Sequence, residues 1–393
     1  MNILYSFRTR GVGAESVHIS GIANALESLG NTIDFESPTG VDPRQKIGIN
    51  PYNNSKKDSR IHTFASKLPG PLFELAELAY NLRARRRINR RLTEKNYGLI
   101  YERHAFFLHS TSQIAKKRGI PYVVEVNELV GDERVRQQPF LLGLCKWCDK
   151  QIFQNATKVV TVSPHLKRKI TQQYRIPDER ILVHPNAVES SLLDENPDPE
   201  PIKQRFNLRG KLPIGFVGWF VEWHRLDILL EAFATLCKQD LDSSPILLLI
   251  GDGPLKPALN MQARKLGIAD NISFTGTIPH EEIPAILKAL DIAVIPHSNQ
   301  YRSPIKLFEY MAQACAITAP ASEPIKEIIK DGANGLLFHP LATNQLGENL
   351  IRLAKSPKLR EKLGQAARQS VETNYTWKHN AQDLLNNLSK ETP

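Results

Sequence analysis

Cysteine is scarce in this chain. Four residues among 393 cannot supply the disulfide framework that holds small secreted domains together, so the fold must rest on apolar packing. Cys145 and Cys148 form a Cys-x-x-Cys pair, but no second pair completes a zinc site. Their flanks, 140–144 and Trp147, carry the pattern of an amphipathic helix, which favours buried thiols over a redox or metal role. Long apolar runs are missing as well. No stretch approaches the roughly 20 residues that span a bilayer. The apolar run at 1–7 is too short for a signal-peptide core and leads straight into arginines. The expected location is cytoplasmic, with a peripheral place on the cytosolic face of a membrane left open. Aromatic-interleaved basic tracts and zinc-finger spacings are also absent, so nucleic acid is not an expected partner.

What is present has globular proportions: 41% apolar and 23% charged residues. The length suggests two or three domains. A net charge of +10 favours anionic partners such as nucleotide phosphates or an acidic membrane face. Apolar runs at 3–7, 32–36, 99–101, 122–126 and 159–162 read as strands, with helical patterns at 14–29 and 72–93 among them. Residues 40–70, rich in Pro, Asn, Lys and Gly, read as a long loop. Asp-Glu-Asn-Pro-Asp-Pro-Glu-Pro at 194–201 reads as a linker. The alternation then restarts at 214–217, 246–250, 272–274, 292–295 and 316–318. Strands alternating with helices imply parallel sheets. The expectation is an α/β protein of two doubly wound domains, 1–193 and 202–372, with a helical tail at 373–393 and a ligand in the cleft between them.

Arg83, Arg85, Arg86, Arg87, Arg90 and Arg91 follow the apolar stretch 72–82. They read either as the solvated face of an amphipathic helix or as a contact for anionic lipid headgroups or a lipid-diphosphate acceptor.

The most informative stretch is Arg-Ser-Pro-Ile-Lys-Leu-Phe-Glu-Tyr-Met at 302–311. Ser303 suits a helix N-cap and Pro304 the first helical position. The helix follows an apolar strand, so its free N–H groups form an anion site to which Lys306 adds a charge. Glu309, roughly 5 Å further along the same face, suits ribose hydroxyls. Two glycine turns close strands of the same half: Gly-Phe-Val-Gly at 215–218 and Gly-Asp-Gly-Pro at 251–254. Gly218 is the better phosphate-side candidate of the two turns, since the second also reads as a plain tight turn.

A competing signal lies near the start. Arg-Thr-Arg-Gly-Val-Gly-Ala-Glu-Ser at 8–16, with Asp34 and Glu36 after it, partly matches a dinucleotide fingerprint. That leaves an NAD(P)-type enzyme as an alternative. Three residues separate the strand from Gly11, too many for the tight turn, and Ser16 stands where the third glycine belongs.

Taken together, these residues resemble the GT4 family of retaining glycosyltransferases, which have the GT-B fold of two Rossmann-like domains. The resemblance runs through Arg-Gly-Val-Gly at 10–13, Tyr-Glu-Arg at 101–103, Glu-Val-Asn at 125–127, Pro-Asn-Ala-Val at 185–188, Trp223-His224, Thr275-Gly276, the 302–311 stretch, Asp-Gly-Ala-Asn-Gly-Leu at 331–336 and Trp377. It implies transfer of a sugar from a nucleotide-diphosphate sugar, hexosyltransferase-like, with no metal or other cofactor. The tail at 373–393 would pack back on the first domain. The implied donor-binding residues are Gly13, Gly218, Trp219, His224, Arg225, Thr277, Ile278, Ser303, Pro304, Ile305, Lys306 and Glu309. An acceptor would lie near Glu15, His18, Arg103 and Asn127. Lys306, Glu309, Asn127 and His224 would serve the reaction itself.

The chain also departs from the family pattern. Tyr301 replaces the first of two spaced glutamates, Trp219 and His224 stand where an Arg and a Lys are usual, and Asn127 stands where a histidine is common. Arg225 and Ala314 occupy positions where glycine is usual. Trp219 and Asn127 leave open a second alternative, a non-catalytic relative that acts as an interaction partner.

Overall fold

A computed structural model describes residues 1–9, 14–40, 42–46, 70–132 and 138–390. Gly13 and most of the expected 40–70 loop lie outside the described residues. The chain forms two compact units. One comprises Met1–Pro185 with Trp377–Pro393, and the other is Asn186–Thr376.

The first unit holds a six-stranded parallel sheet of β1 (Asn2–Ser6), β2 (Thr32–Glu36), β3 (Leu99–Arg103), β4 (Tyr122–Val126), β5 (Lys158–Thr161) and β6 (Ile181–Val183), ordered β2-β1-β3-β4-β5-β6. β3 and β4 read as near-continuous apolar runs because both faces are covered by helices. Ile100, Val123 and Val124 are fully buried. The helix Trp377–Ser389 belongs to this unit and packs on the helix Ala14–Ser28. His184 bonds Asp383 at 2.8 Å, Asn380 Nδ2 donates to the Pro185 carbonyl, and the Trp377 indole meets the His18 ring edge-on at 4.7 Å.

The second unit repeats the plan with β7 (Lys211–Val217), β8 (Ser244–Ile250), β9 (Ile272–Gly276), β10 (Ile292–Val294), β11 (Ala316–Pro320) and β12 (Leu336–Phe338), ordered β12-β11-β10-β7-β8-β9 and parallel throughout. One apolar cluster on each face of the sheet forms its core. The Pro-rich stretch expected as a linker is irregular over 195–199 and lies inside this unit. Its flanks are held there: Arg368 donates to the Leu193 carbonyl, Val188 N–H donates to the Tyr375 carbonyl at 3.2 Å, and Ile202 is buried in the core. β6 and β12 are each three residues long, too short for a two-residue period to show in sequence.

Candidate active site

In the second unit the carboxyl ends of β7, β8 and β9 are tied together by backbone. Gly218 N–H donates to the Ile250 carbonyl at 2.9 Å and Gly251 N–H to the Gly276 carbonyl at 3.0 Å. At Gly251, φ is +132° and a Cβ would lie 2.1 Å from the Gly218 carbonyl oxygen. The Gly-Asp-Gly turn is therefore required by backbone packing, whatever else it does.

Gly218 has a different neighbour. Its φ is +150°, and a Cβ there would lie 2.6 Å from Lys306 Nζ. Lys306 comes from the first turn of the helix Ile305–Ala312, and that helix opens just past the end of β10. Nζ is buried, has no hydrogen-bond partner, and rests 4.1 Å from the Phe216 ring centroid. Burial pulls the ammonium down to about 7, against the opposing charge of Glu309, which is itself half-buried. A lysine in this state is poised to gain an anion.

His224 lines the same spot. Its ring lies edge-on to Phe216 at 5.2 Å, and its Nδ1 is buried without a partner. Burial first, then the charges of Lys306, Arg302 and His297, hold its pKa down to about 2, so the imidazole is neutral at physiological pH. Arg302 stands over the Trp223 and Tyr301 rings, and Tyr301, in the place of the missing glutamate, is buried. Trp219 is exposed, Thr277 is exposed, and Ile278 packs against the core beside Gly276.

Two expectations for this unit change. Ser303 does not cap the helix. The N-cap residue is Pro304, with φ −74° and ψ 121° and no side-chain cap bond, and Ile305 begins the helix. The Ser303 hydroxyl instead accepts the Asn186 backbone N–H at 2.9 Å, and the Asn186 side chain donates to the Ser303 carbonyl. Arg225, expected to face a donor phosphate, is engaged by a neighbour. Its guanidinium forms a two-point ion pair with Asp227, at 2.9 and 2.8 Å. Its φ of +47° accounts for the glycine usual at this position in the resembling family. Ala314, with φ +54°, explains its own departure in the same way.

In the first unit, three of the expected residues converge on one that sequence reasoning did not select. Glu125 is buried in β4 and receives four donors. Arg103 Nη1 at 2.8 Å and Asn127 Nδ2 at 2.6 Å bond one oxygen; Tyr101 hydroxyl at 2.8 Å and His18 Nε2 at 2.7 Å bond the other. The register places Arg103 directly opposite Glu125. Burial alone would raise this carboxyl, but the charge and hydrogen bond of His18, with Arg103 and Tyr101, hold it well below the usual carboxylate range. The available signal was a glutamate inside the apolar run 122–126, because a charge buried mid-strand needs partners. Glu15 sits half-buried in the first turn of the helix Ala14–Ser28.

Other sequence signals resolve simply. Cys145 and Cys148 are buried thiols outside any disulfide, and burial with the Asp149 charge pushes Cys148 up to about 12, which suppresses the reactive thiolate. Asp34 bonds Lys95 at 2.6 Å and Glu36 bonds Arg91 at 2.9 Å, so both acids of the dinucleotide alternative are already engaged by the helix Gly70–Glu94 and the residue after it. Among the described residues, no group of three or more His, Cys, Asp or Glu side chains could hold a metal ion. Nor is any described helix long and apolar enough to cross a membrane.

A sequence model described as glycosyl transferases group 1 matches residues 199–370, and one described as glycosyltransferase family 4 matches residues 16–192. The chain belongs to glycosyltransferase family 4. It is 24% identical to the alpha-D-kanosaminyltransferase of Streptomyces kanamyceticus over 67% of this chain and 68% of that one. It is 28% identical to an uncharacterized glycosyltransferase of Methanocaldococcus jannaschii over 61% of this chain and 59% of that one. Among solved structures, a glycosyltransferase from Rickettsia africae superposes with a TM-score of 0.76 at 17% identity, covering 100% of this chain and 99% of that one. Anabaena HepE in complex with UDP gives 0.71 at 15% identity, covering 99% and 100%. The shared architecture is the GT-B fold.

For this family 4 glycosyltransferase, Gly218→Ala is expected to displace Lys306 Nζ, because the new methyl takes its place at 2.6 Å and the backbone conformation disfavours any side chain. UDP affinity should fall by about tenfold, roughly one lost charge-assisted contact, with the unfolding temperature lowered by only a few degrees. Calorimetric titration and a melting curve on the same sample check both.

Proposed function

We propose that this glycosyltransferase moves a sugar, with retention at its anomeric carbon, from a nucleoside diphosphate sugar bound by the second unit to an acceptor held by residues of the first. The observation that carries this reading is Lys306, a buried ammonium with no hydrogen-bond partner, set against a glycine that leaves room beside it. A diphosphate supplies the missing partner. Breaking the sugar–phosphate bond builds negative charge on the leaving diphosphate, and Lys306 with the start of the helix Ile305–Ala312 stabilises it as it grows. Neutral His224 contributes a hydrogen bond and no charge. Glu309 would bind the ribose hydroxyls, and the backbone at Thr277 and Ile278 the base.

Glu125 is unsuited to covalent catalysis, since its four donors leave it little nucleophilic character. We therefore favour a front-face reaction, in which the departing diphosphate takes the acceptor's proton on the side where the new bond forms. Asn127, Arg103, His18 and Glu15 would orient that acceptor. Trapping of a glycosyl–protein adduct would overturn this route. No metal enters the proposal, and contact of the arginine-rich helix with an anionic membrane belongs to it.

HepE was solved with UDP, which makes UDP and UDP-sugars the first ligands to try. Thermal shift with a panel of nucleotide sugars and NAD, run in EDTA, should show stabilisation by a nucleoside diphosphate sugar and none by NAD. Glu309→Ala should weaken that donor about tenfold, the cost of roughly one or two hydrogen bonds to a charged group. Tight NAD binding without nucleotide-sugar binding would sink the reading.

A further inference from the structure

Among the described residues, the helix Gly70–Glu94 leaves one long face exposed. Among the described residues ten large apolar side chains are exposed, and three of them, Leu72 at 52%, Leu75 at 49% and Leu82 at 68%, lie on this helix. At about 100° per residue, these leucines share a face with the exposed Ala76 and Ala79. Continued toward the C-terminus, the same face carries Arg83, Arg86 and Arg90, all exposed. At the first turn, Phe140 packs over Gly70 and is itself 61% exposed, which extends the apolar end. The face runs for about 27 Å, from leucine to arginine.

The arginines divide into two sets. Arg87 donates to the Ser37 carbonyl at 2.8 Å, and Arg91 bonds Glu36 at 2.9 Å and donates to the Phe35 carbonyl. These two fasten the helix to the end of β2. Arg83 and Arg86 are exposed, and Arg90 pairs with Glu94 on the exposed side. The helix is anchored from below as well: Arg8, just past β1, bonds Glu77 and donates to the Phe106 carbonyl at 3.0 Å, and Asn81 bonds the backbone of Phe107, His109 and Ser110. Among the described residues, its outer face stays exposed.

We infer that this outer face docks on an anionic lipid bilayer, with the leucines in the acyl boundary and Arg83, Arg86 and Arg90 at the headgroups. Charge complementarity selects this occupant. An apolar stripe continued by exposed arginines on one helix fits the interfacial mode of membrane binding, in which buried apolar area and attraction to anionic lipid act together. The inference deepens the membrane contact proposed above and does not rest on the sugar-transfer step.

The test uses the full-length chain and vesicles of phosphatidylcholine, with or without about 30 mol % phosphatidylglycerol. Flotation should show binding to the anionic vesicles and little to the neutral ones. Arg83→Gln/Arg86→Gln/Arg90→Gln should lower partitioning at least about tenfold, and so should Leu72→Gln/Leu75→Gln/Leu82→Gln. A control, Lys358→Gln/Lys362→Gln on an exposed helix of the second unit, should leave it unchanged. Each variant should keep the wild-type thermal response to UDP, which separates loss of docking from loss of fold or of the donor site. No binding to anionic vesicles, an equal loss in the control, or leucine variants that bind normally would overturn the inference. So would a concentration-dependent dimer abolished by the leucine variant, since a second copy would then occupy the face.

Discussion

Lys306→Ala is expected to cut turnover by about two to three orders of magnitude, the scale seen when one donor to a developing anion is removed, while UDP affinity falls by about tenfold or less. The asymmetry follows from timing. On the proposed route, the diphosphate shares its charge with solvent and backbone donors in the ground state; in the transition state it would take up the bonding electrons of the departing sugar, and the buried ammonium would act most strongly there. A pH signature should accompany the mutation. The free Lys306 titrates near 7, and a bound diphosphate favours its charged form, so binding draws in a proton above that pH. The affinity of wild-type UDP should be flat just below pH 7 and fall as pH rises, by up to about tenfold per unit. The terminal phosphate of UDP, with its second pKa near 6, is already ionised in this range. Lys306→Ala should flatten the slope. Calorimetric titration from pH 7 to 9 reads it, and a slope unchanged in the mutant would remove Lys306 from the site.

Glu125→Ala should cost the first unit about 3–5 kcal/mol, the penalty for breaking a buried ion pair and leaving the partner charge uncompensated. Arg103, Asn127, Tyr101 and His18 would all lose an acceptor at once. The wild type carries the same energy as an acid dependence. The folded carboxyl lies far below its ordinary value, so its contribution is complete above the unfolded pKa of about 4.3 and is lost as pH falls from there toward the folded value. Glu125→Ala should therefore show a shallower loss of stability below pH 4 than the wild type. Chemical denaturation followed at several acid pH values measures it. An identical slope in both proteins would mean that Glu125 is not the hub its four contacts indicate.

Much of this was legible from sequence because the relevant forces are local. Continuous apolar runs announced the parallel strands, and the sequence placed Lys306 in the first turn of a helix, where it stands. Interactions between distant segments were not legible. Ser303 reads as a cap, yet its hydroxyl accepts from Asn186, 117 residues earlier in the chain; local preference gave way to a tertiary bond. Arg225 is a nearer case: it reads as a spare cation, yet Asp227, two residues on, takes the Nε–Nη2 edge of its guanidinium. Glu125 was passed over because strand-forming neighbours on either side made it look like part of a motif, whereas its role is set by β3 and by the helix Ala14–Ser28. The arginine-rich helix shows the opposite case: the count of charges was plain, and only the fold divides those that tie it to β2 from those that face outward.

The two-part make-up of the first unit has a consequence for how the protein is born. Its sheet is finished by Pro185, but the helix that carries Trp377, Asn380 and Asp383 into it is encoded after the whole of Asn186–Thr376. On a ribosome adding about 5–20 residues per second, the nascent first unit waits roughly ten to forty seconds for its last piece. Throughout that interval the groove around His18 and Gly21 stands uncovered, while the second unit can complete itself as soon as it emerges. Domains made first normally fold first. Here a helix made after the whole of Asn186–Thr376 packs into the unit whose sheet was made before it.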